Sequence, residues 1–75
     1  MITDTKATEL ALRAETIGEA ATEGEGVTFS DLTEWSRFLT GAMVDLREGG
    51  VRFAKLILVV ETASAIVDEA LLAAL

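Results

Sequence analysis

Carboxylates are the most abundant side chains able to do chemistry in this chain, thirteen Asp and Glu against six Lys and Arg, with no His and no Cys. Paired carboxylates can serve as general acid and base or hold a divalent cation. Glu15, Glu19 and Glu23 recur at four-residue spacing. On a helix that spacing stacks like charges at a small cost, which hints at an external cation or a basic partner. Catalysis has little else to use. A Ser nucleophile needs a base beside it, and without His the base would have to be Lys6, Lys55 or a carboxylate tuned by burial.

Metal and nucleotide chemistry are equally poorly supplied. Without thiolate or imidazole a structural zinc site is excluded. The calcium-loop pattern D-x-[DN]-x-[DN]-G is missing, as are the phosphate loop, the dinucleotide glycine pattern and the nucleophile elbow. The sequence therefore offers no catalytic, cofactor-binding or metal residue, and the chain is expected not to be an enzyme. A net charge of −7 argues against direct nucleic-acid binding, which is driven by Lys and Arg displacing counterions. Arg47, Arg52 and Lys55 form only a weak basic patch. Read as a recognition helix, the segment after Gly49 and Gly50 presents Leu, Ile and Val where base-reading polar groups are required.

The stretch EWSRF sets Ser36 mid-chain in a small, acidic, helical protein, which resembles acyl carrier proteins in general character. Those proteins carry an Asp-Ser-Leu at the start of a helix. Ser36 instead lies between Trp35 and Arg37, well inside a helix, so the attachment function is not carried over.

Glycine clusters at Glu23–Gly26 and Gly49–Gly50 divide three stretches of helical periodicity, and proline is absent. The expected architecture is a single all-α domain, a three-helix up-down-up bundle with helices near 4–23, 29–48 and 51–75. On the first helix Ala7, Leu10, Ala14, Ile17 and Ala21 make a buried edge of mostly small residues, with Ala11 and Gly18 beside it, and Gly24 suits the left-handed residue that ends a helix. The second helix has a start signal: Thr28 and Asp31 fit a capping box, and Val27 and Leu32 a hydrophobic staple. Its stripe is Leu32, Trp35, Leu39, Ala42 and Leu46. Phe38 and Met43 flank it, Gly49 supplies the stop, and Trp35 and Phe38 are the expected bulky centre of the core.

The third stretch, Val51 to Leu75, is apolar nearly all round. A strand over 51–60 would find only Val27–Phe29 to pair with, and a lone ribbon is marginal in water. A continuous helix keeps Phe53, Leu56, Val60, Ala63, Val67, Ala70 and Ala74 at three-four spacing. Glu61, Asp68 and Glu69 interrupt it too often for a membrane span. At 25 residues it would run about 37 Å and overhang neighbours of about 30 Å. Its LLAAL end, lacking a cap, suits docking.

A second apolar line, Ala54, Leu58, Ala65 and Leu72, lies away from the seam of that helix, and with Leu75 it is the expected interface to another protein chain. Arg52 and Lys55 are expected to find partners in Asp4, Glu9, Asp45 and Glu48. An opposite, acidic pole gathers Glu19, Glu23, Glu25, Asp31, Glu34, Asp68 and Glu69. Two functions follow as expectations. One is a structural or assembly subunit that associates through the third helix, as a homo-oligomer or within a larger complex such as a virus particle. The other is a small acidic inhibitor or adaptor that offers the pole to a basic, nucleic-acid-binding protein. The start MITDTKATEL shows no secretory signal, so the expected setting is soluble, in the cytoplasm or an assembled particle.

Overall fold

The computed structural model describes residues 2–75, which form three α-helices and no strand. Helix α1 runs Asp4–Glu23, α2 Phe29–Glu48 and α3 Ala54–Ala74, with a short 3-10 turn at Gly50–Phe53. The body measures 35 × 17 × 16 Å, close to the length of one helix of about 20 residues at 1.5 Å each. Asp4 at the start of α1 meets Arg52 just ahead of α3, and Gly18 lies against Ala63 further along both helices. The two therefore run parallel. Phe29 and Thr33 at the start of α2 share a depression with Leu71 and Leu75 at the end of α3, so α2 runs the other way. Helix α3 packs along both α1 and α2, which touch each other far less.

Each helix end has a local cause. Thr3 accepts a hydrogen bond from the Lys6 amide on its hydroxyl oxygen, at 3.1 Å, and opens α1. Gly24 closes it at φ 69°, a conformation that costs a side-chain-bearing residue and not glycine. At α2 the capping box is complete. The Thr28 hydroxyl accepts from the Asp31 amide at 3.1 Å, and the Asp31 carboxylate accepts from the Thr28 amide at 3.0 Å. Val27 is half-buried against the cluster that holds Leu32, as a staple requires. The glycine pair ends α2 at Gly49, as expected, and divides its labour. Gly49 caps α2 in right-handed geometry, at φ −80°, and Gly50 takes the left-handed turn at φ 67°.

Four residues form the bulky, fully enclosed centre of the core: Leu39, Leu46, Val60 and Val67. Trp35 and Phe38, expected there, are half-buried at its margin. The reason is geometric. Gly18 on α1 and Ala63 on α3 stand in close contact, so the middle of the bundle holds branched aliphatics, and the one buried aromatic ring among the described residues, Phe53, packs over Gly49 at the end of α2. The guanidinium of Arg13 covers the Phe38 ring 4.4 Å from its centroid, an arrangement worth about 0.5–1 kcal/mol at an exposed site.

The third helix departs from expectation in length and burial. It spans 21 residues against 20 for each of the others, so it does not overhang them. Its first expected turn is spent on the 3-10 segment, which folds the Phe53 ring back over Gly49. Despite its apolar composition, α3 buries only Val60, Ala63 and Val67, and most of the helix is exposed. Ala74 of the expected seam is exposed, while Leu56 and Ala70 are half-buried. No helix among the described residues is long and apolar enough to cross a membrane.

Candidate functional site

Successive α-helical residues turn by about 100°, which sets three surfaces on α3. Val60, Ala63 and Val67 face inward. Val59, Thr62 and Ile66 flank α1, and Leu71 flanks α2. The crown between the flanks carries Ala54, Leu58, Ala65 and Leu72, all exposed. Leu58 and Leu72 keep 62% and 72% of their surface in solvent, two heptads and about 21 Å apart along the axis. Ala65 stands midway between them. Glu61 and Asp68 border this line on one side, Thr62 and Glu69 on the other, and all four are exposed.

Leu75, expected in the same interface, is separated from that line. It is 88% exposed and belongs to a depression of about 390 Å³ between α2 and α3, with Phe29, Thr33, Ser36, Arg37 and Leu71. One further turn of the helix carries it around the axis from Leu72 toward α2. The expected interface thus divides into a crown of four residues and a terminal Leu over α2.

A feature that sequence reasoning did not assemble lies along the α1 side. There, Gly18 and Ala63 form the floor of an open groove of about 480 Å³. Val59, Thr62 and Ile66 line the α3 side, and Glu15, Glu19, Thr22 and Glu23 the α1 side. Gly18 beside the α1 stripe signals close approach of a neighbouring helix. Which α3 residues face it is a pairing between two helices that neither stripe specifies alone.

The polar groups of the groove are unevenly engaged. Thr22 donates its hydroxyl hydrogen to the Gly18 carbonyl at 2.8 Å, and Thr62 to the Leu58 carbonyl at 2.9 Å. Neither has a hydroxyl hydrogen left to offer. The three glutamates make no ion pair, since the one ion pair among the described residues is Arg52 with Asp4. Lys55, expected to pair at the same end, does not.

The residues of the expected acidic pole are not all alike in their engagements. Its members fall at the end of α1, the start of α2 and the end of α3, but the Asp31 carboxylate is committed to the cap of α2, and Arg37 sits among the α2 residues there. Among the described residues no three carboxylates converge closely enough to hold a metal ion.

Comparison of the chain with protein-family models, with curated proteins and with solved structures found no match.

Proposed function

We propose that this protein is a non-catalytic assembly or accessory subunit that docks onto another protein chain through the outer side of α3. The observation that carries the reading is the crown of Leu58, Ala65 and Leu72, an exposed apolar line on a helix whose opposite side already serves the core. At about 25 cal/mol per Å² of apolar surface, leaving those leucines in water forgoes a few kcal/mol, which is comparable with the stability of a domain this small. Covering them against a partner recovers it. A sequence without His or Cys supports a non-catalytic role.

The acidic-adaptor reading draws on a specific observation as well, the row of unpaired glutamates beside the groove. It concerns the chemistry of the partner and is compatible with docking through α3. Native mass tests the main proposal. In extracts of the cells that make it, the wild-type chain is expected to elute in a particle well above 8.0 kDa, and a Leu58→Gln/Leu72→Gln variant as a folded monomer. Equal elution of both would remove the crown from the interface.

A further inference from the structure

We infer that the partner presents a basic amphipathic helix, and that this helix lies in the groove between α1 and α3 with its cations against Glu15, Glu19 and Glu23. The inference rests on the docking role proposed above and names the chemistry of the occupant. Shape gives the first argument. A floor of Gly18 and Ala63 flanked by apolar Val59 and Ile66, between two parallel helices, is the form in which an amphipathic helix is received, with apolar residues at helical spacing seated in the groove. Small residues on the floor admit the side chains of such a helix.

Charge identifies the occupant. The wall of three carboxylates follows one helix row from Glu15 to Glu23, about 12 Å, and carboxylates accept hydrogen bonds without donating any. Thr22 and Thr62 have already committed their hydroxyl hydrogens within the chain. Everything polar that the groove can offer is therefore an acceptor or negative, and the complement is a row of Lys or Arg at three- and four-residue spacing. A second copy of this chain fits badly. It carries a net charge of −7, and its own apolar crown is bordered by Glu61, Asp68 and Glu69, so pairing would set carboxylate against carboxylate.

The occupied groove adjoins the crown. Thr62 lies between Ile66 on the groove side and Leu58 and Glu69 on the outer side of the α3 wheel, so a helix seated against α1 and α3 would also shield the near edge of the crown. The short acidic border at Glu69 would then meet the same basic flank.

The test uses the full chain, isotopically labelled, and a designed peptide of about 18 residues, long enough to hold a helix on binding. Its apolar stripe is leucine and its flanks are lysine; a second peptide keeps the stripe and replaces lysine by glutamate. Amide shifts at Gly18, Thr22, Thr62 and Ile66 are expected with the lysine peptide and not with the glutamate one. Reversing Glu15, Glu19 and Glu23 to Lys should weaken binding at least about tenfold, because charges beside an interface act through complementarity. Reversing Glu34, Asp45 and Glu48, an equal change in net charge, should weaken it less than about threefold on the same grounds. All six residues are exposed, and helix content measured on each variant identifies any that fails to fold. Equal losses in the two triple variants would overturn the groove site, as would no binding of the lysine peptide. Shifts centred on Leu58, Ala65 and Leu72 would also overturn it while leaving docking through α3 intact. Groove shifts that grow with protein concentration alone would assign the groove to a second copy and overturn the basic partner.

Discussion

The ring of Phe53 occupies the space where a Cβ on Gly49 would stand. Gly49 has ordinary right-handed geometry, whereas its neighbour Gly50 is left-handed at φ 67° with open space around its missing Cβ. Two adjacent glycines are thus required for different reasons, one for room and one for backbone. Gly49→Ala is expected to cost about 1–3 kcal/mol by overpacking, and Gly50→Ala roughly 1–2 kcal/mol through the left-handed backbone. Asn at position 50 should restore part of the second loss, since Asn tolerates that conformation, while Asn at position 49 should restore nothing. Urea denaturation of the four variants measures this, and a neutral Gly49→Ala would contradict the packing.

Gly18 makes the opposite case. A Cβ there would meet the Ala63 Cβ at 3.5 Å and Ile66 at 3.6 Å, ordinary van der Waals contact in mid-helix. Gly18→Ala should therefore raise stability, by up to about 1 kcal/mol through helix propensity. The same midpoint comparison checks it, and a clear loss of stability would show that α1 and α3 cannot accommodate the methyl group.

Capping can be measured at Thr28. Replacing it by Ala removes the acceptor for the Asp31 amide and should cost about 1 kcal/mol. Thr28→Ser, which keeps the oxygen, should cost much less. Equal losses from the two substitutions would mean that the capping box does not hold the start of α2.

The centre of the core separates the structure from its sequence-based expectation most sharply. Leu46→Ala, at a fully enclosed site, is expected to cost about 2–5 kcal/mol, enough to unfold much of a domain this small. Trp35, at the margin, can be read directly. Its fluorescence should be accessible to an aqueous quencher in the native state, where a fully buried indole would be shielded.

Local signals explain why so much of this fold was legible. Thr28 with Asp31 and Val27, the small-residue edge of Ala7 to Ile17, and Gly24 each specify a helix boundary or face within a few positions, and the structure has them where the periodicity predicts. Charge was legible only at one contact, Arg52 with Asp4, because the other cations are on long, exposed side chains that the backbone does not direct. The 3-10 turn was not legible. It accompanies a tertiary contact, the Phe53 ring over Gly49, and it shortens the third helix, which begins at Ala54 and spans 21 residues against 20 for each neighbour. The groove is shared between α1 and α3, so the stripe of a single helix could not reveal it. The exposure of Leu58, Ala65 and Leu72 follows from the wheel alone, whereas Leu75, close to their line in sequence, stands over α2 instead.

The central claim is that the outer side of α3 is covered by another chain, and position-specific photo-crosslinking in the cells that make the protein tests it most directly. A benzophenone side chain would be placed in turn at Leu58, Ala65 and Leu72, and at exposed Glu9 and Val44 on the other helices as references. A product of one discrete higher mass is predicted from the three α3 positions and none from the references. Crosslinks of equal yield from all five positions, or none from α3, would contradict it.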